Sequence, residues 1–236
     1  MCNLSKIDVI VLAGGLGKRL RSETGSTPKV LANVNGVPFL DILLKNLSDQ
    51  GFKKIVLCTG YQSEEIESYY QENTLGLTIE FSKEKVPLGT GGAIKKARSF
   101  VRSDKFLVLN GDCFCTVSFK DFLKFHIEKN AFASMVLTET EDKKDFGSVM
   151  IDSNNAIESF QEKSEKSFSP LVSVGIYFFN KEVFDVMPSQ EAFSIEHDFF
   201  PDLVNKQFFG FVTDQGFLDI GTPDRYKEAQ EKLNKN

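Results

Sequence analysis

The sequence predicts an α/β fold, a doubly wound and mostly parallel sheet flanked by helices, on two observations. Short runs such as IDVIVLA and KFLVL are apolar at nearly every position, which suits strands covered on both faces. Segments with apolar residues at helical spacing separate these runs, so strand and helix alternate through the first half of the chain.

Strands are expected at 7–13, 54–59 (KIVLCT), 77–82 (LTIEFS) and 105–109, with helices at 38–50, 63–72 and 91–101. Together they make a Rossmann-like half. After residue 110 the pattern changes. SFKDFLKFHIEKN (118–130) predicts a helix with Phe119, Phe122, Leu123 and His126 on or near one face, so His126 reads as a core residue. ASMVLTET, GSVMID, AIESFQEK and LVSVGIYFFN then predict short strands, a small additional β region. Residues 194–206 have helical character broken or bent near Pro201. The last helix, 222–234, starts with Thr222 as cap and Pro223 in its first turn. There is no repeat, low-complexity tract or linker, so 1–236 is expected to be one domain with halves at 1–112 and 113–236. Most of the 23 phenylalanines belong to the core, but adjacent Phe199 and Phe200 cannot share one core spot on a helix. A dimer contact is one reading of that pair, and the expected state is monomer or homodimer.

Composition excludes several function classes. A net charge of −5 argues against a general nucleic-acid or anionic-membrane surface. No run approaches the ~20 apolar residues of a membrane span, and MCNLSKIDVIVLAGG lacks the apolar run and cleavage site of a signal peptide. Cys2, Cys58, Cys113 and Cys115 form no CxxC pair or zinc spacing, so a cytoplasmic protein with reduced thiols is expected.

VLAGGLGKRL follows the first strand, and Gly14, Gly15 and Gly17 let main-chain N–H groups face an anion while Lys18, Arg19, Arg21 and Lys29 add charge. The loop matches neither GxxxxGK[ST] nor GxGxxG, and alone it is a weak signal that a plain tight turn would also give. NGD (110–112) puts Asp112 at a strand's carboxyl end, as a Mg²⁺ ligand or a turn residue, and FLDIGTP puts Asp219 at another. Two carboxylates with substrate phosphates make a normal Mg²⁺ site, so the pair makes more sense together than apart. In LGTGGAIKKA, Gly89, Thr90, Gly91 and Gly92 would let backbone approach a flat base or ribose. Glu84, just upstream, is either a solvated charge or an acceptor for N1–H and N2–H of guanine. Glu162 and Lys163 in QEK are either surface charges or groups for sugar hydroxyls and a phosphate. His197 is more open than His126, and GxSxG and HExxH are both absent, which disfavours hydrolysis by a protein nucleophile or by zinc.

Taken together, LAGGLGKRL, TPKVL, LGTGGA, NGD, FGSV, EK, SVGIY and LDIGTP resemble the sugar-1-phosphate nucleotidyltransferase family, in its order and over nearly the whole chain. PLGTGGAIKKA, FSIEHDFFP and FLDIGTPDRYKEAQ are most similar to its D-glycero-D-manno-heptose 1-phosphate guanylyltransferases. The resemblance implies GTP and a sugar 1-phosphate as substrates, Mg²⁺ as cofactor, and pyrophosphate plus GDP-heptose for surface polysaccharide as products. It also implies residue roles. Leu12, Ala13, Gly14, Gly15, Gly17, Lys18 and Gly111 would border the nucleotide, with Glu84, Gly89 and Thr90 at the base. Arg19 and Lys29 would meet the reacting phosphates, and Asp112 and Asp219 the metal. Gly147, Ser173 and Gly175 would wall the sugar, with Glu162 on its ring and Lys163 on its phosphate. Lys18 departs from the threonine usual in the family, which leaves its role open. The chain ends soon after LDIGTP, without the β-helix of larger relatives, so no second activity is expected.

Such a reaction needs no general base, because the attacking phosphate is already ionised and cations offset the repulsion. Competing expectations are another sugar (mannose or glucose), another base, a glycosyltransferase, or a nucleotide sensor. NGDCF lacks the second aspartate of a DxD motif, which disfavours the glycosyltransferase.

Overall fold

The computed structural model describes residues 3–140, 146–161 and 169–233. β1 (Asp8–Leu12) leads to the glycine loop and a short hairpin of β2 (Asn33–Val34) and β3 (Val37–Pro38). β4 (Lys54–Thr59), β5 (Thr78–Lys83) and β6 (Lys105–Asn110) complete a parallel set in the order β6-β1-β4-β5. β7 (Cys113–Cys115) leaves the main sheet, which resumes with β8 (Ala133–Glu139), β9 (Ser148–Ile151), β10 (Ile157–Gln161), β11 (Leu171–Asn180) and β12 (Phe208–Val212). β11 runs antiparallel to β6 on one side and β8 on the other, so the additional β region continues the first sheet. β13 (Phe217–Asp219) returns across the molecule to pair with β7.

Helices cover both faces, as the two-sided apolarity of the strands requires. After the single turn α1 (Arg21–Thr24) come α2 (Phe39–Asp49), α3 (Ser63–Glu72), α4 (Gly89–Lys96) and α5 (Phe119–Glu128). The shorter α6 (Val183–Val186), α7 (Ile195–Asp198) and α8 (Phe200–Leu203) precede α9 (Pro223–Lys232). Successive β1 side chains point to opposite faces. Val9 and Val11 join the core under α2, α3 and α5, while Ile10 joins the core under α4 and α6 to α8. α9 packs Tyr226 and Ala229 on Val34, Phe39 and Ile220, and Thr222 caps it by accepting from the Arg225 N–H.

The helix of 194–206 breaks as expected, but at Phe199 (φ −130°, ψ −47°), two residues before Pro201, which leaves two separate turns. The kink rotates Phe199 and Phe200 so that both are buried, at 2% and 0% exposure, which removes the argument for a dimer contact. β12 was not expected, because FFGFV has no alternation; Gly210 admits the Leu137 side chain where a Cβ would stand.

His126 is a core group, as expected. Its Nδ1 lies 2.7 Å from Ser134 Oγ and its Nε2 3.2 Å from Asn180 Oδ1. Burial pushes its pKa down from 6.5 to about 4. The unfolded chain therefore takes up this proton first. The contribution is fully present above about pH 6.5 and is lost as pH falls toward about 4, by about 3 kcal/mol in all. Urea unfolding at about pH 7.5 and about pH 5 should show about 2 kcal/mol of this loss in the parent protein and a much smaller one in His126→Gln. Equal losses in both proteins would reject the assignment.

Candidate active site

The glycine loop and the carboxyl ends of β1, β4, β5 and β6 enclose a cavity of about 510 Å³. Leu12, Gly14, Gly15, Lys29, Glu84, Gly89, Thr90 and Asp112, each singled out from the sequence, line it. Ala13, Gly17, Lys18, Arg19 and Gly111 do not. Ala13 and Gly111 lie behind the wall, donating their N–H groups to Cys58 O and Leu12 O at 2.9 Å. Gly17 (φ +58°) serves loop closure, because a Cβ there would stand 2.9 Å from Lys29 Cβ. Lys18 is exposed and lines neither this cavity nor the one beside it.

Glu84 is no solvated loop charge. A Cβ at Gly14 would stand 2.9 Å from Glu84 Oε1, and one at Gly60 2.5 Å from it, so those glycines let the carboxylate lie across the loop. Leu88 N–H donates to Oε2 at 3.2 Å. Burial pushes the carboxyl pKa upward, against the opposing effects of the Leu88 N–H and Lys96.

The glycines of LGTGGA divide between two tasks. Gly89 and Thr90 border the cavity, but Gly91 and Gly92 do not, contrary to the expectation that they approach a base. Their N–H groups donate to Phe193 O at 3.0 and 3.2 Å. The Phe193 ring and Glu191 O occupy the space that Cβ atoms would need, so these two glycines dock residues 191–195.

A second, smaller cavity of about 130 Å³ adjoins the first, and Lys29, Asn110 and Asp112 line both. Arg19, Gly147, Ser173, Gly175 and Asp219 line only the second. β11 bulges between Ser173 and Tyr177, and Gly175 (φ +74°) sits within the bulge. A Cβ there would stand 2.5 Å from Asn110 Nδ2.

Asp112 and Asp219 meet through the β7–β13 ribbon. Asp219 pairs in register with Cys113, next in sequence to Asp112, and Ile220 N–H donates to Asp112 O at 3.0 Å. Lys29 Nζ pairs with Asp112 Oδ2. Arg225 lies 3.3 Å from Asp219 Oδ2, and Gly221 N–H donates to Asp219 Oδ1 at 2.7 Å. Burial pushes Asp112 upward, but Lys29 outweighs it and the pKa falls below the usual carboxylate range. Asp219 moves the other way, raised by burial and by the Asp112 charge against Gly221 N–H and Arg225. Two hard oxygen donors that repel each other beside a phosphate-sized cavity fit Mg²⁺, which takes its remaining ligands from substrate and water. No group of three His, Cys, Asp or Glu side chains that could hold a metal occurs among the described residues.

Among the described residues Cys58, Cys113 and Cys115 are free thiols whose pKa values are all raised, which disfavours the thiolate. Burial pushes Cys58 up to about 12, and burial with the Asp112 and Asp219 charges raises Cys113. His197 is exposed and lines neither cavity, and Glu162 and Lys163 lie outside the described residues. No helix among the described residues is long and apolar enough to cross a membrane.

Sequence reasoning missed Asn110, Glu196 and Arg225. NGD held a signal for Asn110, a polar residue at the end of a buried strand. Arg225 looked like an ordinary first-turn residue, and only its 4.5 Å approach to the Phe146 ring and its pairing with Asp219 put it in the site.

The model of the family described as nucleotidyl transferase matches residues 8–236. A D-glycero-alpha-D-manno-heptose 1-phosphate guanylyltransferase of Aneurinibacillus thermoaerophilus is 37% identical over 96% of this chain and 98% of its own length. One from Campylobacter jejuni is 36% identical, over 93% and 97%. The crystal structure of HddC from Yersinia pseudotuberculosis complexed with GMP-PN superimposes with a TM-score of 0.84 at 35% identity, covering 96% of this chain and 99% of that one.

Proposed function

The chain belongs to the nucleotidyl transferase family, and from that premise we propose that it transfers the guanylyl group of GTP to D-glycero-D-manno-heptose 1-phosphate. The products are GDP-heptose and pyrophosphate, with the activated sugar made in the cytoplasm for surface polysaccharide. The observation that carries this reading is the pair of adjoining cavities sharing Lys29 and Asp112, beside which Asp219 stands. Near-full-length similarity to guanylyltransferases of this heptose supports the choice of base and sugar.

The larger cavity suits the nucleotide. Gly14 and Gly15 let backbone approach the phosphates, and Glu84 offers a carboxylate to the two N–H groups on guanine's pairing edge. The smaller cavity suits the acceptor. Arg19 and Arg225 border it, so the sugar's phosphate enters toward positive charge. Lys29, at the junction, offsets the repulsion between the attacking phosphate oxygen and the α-phosphate. Asp112 and Asp219 would hold Mg²⁺, which when bound supplies further charge neutralisation and orients the phosphates. The attacking oxygen comes from the acceptor and is already ionised, so the site needs no histidine. Orientation and charge carry the rate. Outside the described residues, Glu162 and Lys163 are proposed to complete the acceptor's contacts.

Pyrophosphate release with Mg²⁺, each of GTP, ATP, UTP and dTTP, and the 1-phosphates of heptose, mannose and glucose tests the reading. GTP with the heptose should give the highest kcat/KM and GDP-heptose as product. Preference for UTP or dTTP, or for a hexose, would overturn the assignment of base or sugar. Release of free nucleoside diphosphate from a nucleotide sugar would point to glycosyl transfer instead.

A further inference from the structure

Among the described residues six charged side chains line the acceptor cavity, and five of them belong to its phosphate-handling side: Arg19, Lys29, Asp112, Asp219 and Arg225. The sixth, Glu196, comes from the single turn α7. Its surroundings differ from those of the two aspartates. Asp112 pairs with Lys29 and Asp219 with Arg225, whereas Glu196 has no ion-pair partner among the described residues. One of its oxygens is fully engaged. Thr90 Oγ1 donates to Oε2 at 2.6 Å and Ser194 Oγ at 2.8 Å. Thr90 is fixed in turn, because its Oγ1 accepts the Ile195 N–H at 2.9 Å. These bonds hold the carboxylate in one orientation, while Oε1 accepts no hydrogen bond from any described residue.

We infer that Glu196 determines acceptor specificity by accepting hydrogen bonds from hydroxyl groups of the sugar through Oε1. The inference rests on the guanylyl transfer proposed above and assigns that site a further residue. A sugar phosphate has two chemically different ends. A carboxylate that forms no ion pair with any described residue repels the phosphate and attracts hydroxyl donors, while Arg19 and Arg225 do the reverse. The cavity thus sorts the acceptor end for end and directs its phosphate to Lys29 and Asp112. The Thr90 bond also ties this contact to the nucleotide cavity, which Thr90 lines. A fixed acceptor discriminates strongly against an analogue lacking the hydroxyl, because the polar group is then left unpaired.

The test pairs Glu196→Gln with monodeoxy analogues of heptose 1-phosphate. Gln keeps the shape and the bond from Thr90 but loses the charge. It should raise the acceptor KM about tenfold or more, with kcat and the GTP KM changed less than about threefold. One deoxy analogue should be poor for the parent enzyme yet lose nothing further in Glu196→Gln. An unchanged acceptor KM would overturn the inference. So would an equal rise in the GTP KM, or deoxy penalties identical in both proteins, since a purely structural role predicts those. Calorimetric binding of heptose 1-phosphate and the same analogues to both proteins reads the contact without turnover. Should the parent release no pyrophosphate, the proposed reaction fails, while the binding comparison still decides the role of Glu196.

Discussion

Asp112→Asn is expected to lower turnover by about a thousandfold or more while leaving the fold intact. The side chain is about one-third exposed at 34%, and its ion-pair partner is Lys29, so little packing depends on it. The contact that joins the β7–β13 ribbon at this residue uses its backbone carbonyl, which the substitution keeps. What is lost is one negative charge where both cavities meet. An amide binds a divalent cation weakly beside Asp219, and Lys29 loses the anion that positions it. Initial rates of pyrophosphate release across a Mg²⁺ series, with thermal unfolding as the control, measure this. Turnover within tenfold of the parent at every Mg²⁺ concentration would remove Asp112 from the metal site.

Glu84→Gln is expected to raise the KM for GTP by about 10- to 100-fold and to shrink the preference for GTP over ATP. The carboxylate is held over Gly14 and Gly60 by close packing and by the Leu88 N–H, and Gln can keep that bond through its own oxygen. Its NH₂ group would then face the N–H donors of guanine. Donor against donor is repulsive, and the partial burial of Glu84 makes an unpaired donor there costly. Competition between GTP and ATP at saturating acceptor reads the effect directly. An unchanged ratio would mean that backbone groups near Gly89, and not Glu84, select the base.

Much of the site was legible because its chemistry is local. A strand followed by glycines, a carboxylate at a strand end and a capped last helix each announce themselves within about ten residues. The glycines of LGTGGA were legible only as glycines. Their tasks depend on residues about a hundred positions away: the Phe193 carbonyl needs the space at Gly89, the Phe193 ring that at Gly91 and the Glu191 carbonyl that at Gly92. Arg225 and Glu196 were hidden for the same reason: a glutamate in the first turn of a helix has an ordinary local explanation, and the Asp219 that holds Arg225 becomes its neighbour only through the fold. The Phe199–Phe200 pair misled because the break expected near Pro201 falls at Phe199, so the two rings do not take adjacent positions on one helix. A kink at one residue let both rings into one core.

The order of apolar runs and breakers by itself determined the alternating fold, the glycine loop and the carboxylates Asp112 and Asp219, because backbone geometry and burial preference act over a few residues. The tertiary structure decided that those carboxylates are neighbours, that Glu84 crosses the loop, and that Glu196 lines the acceptor cavity with no ion-pair partner among the described residues. Charge interactions depend on separation in space, and the chain sets that separation only once the ribbon of β7 and β13 has closed.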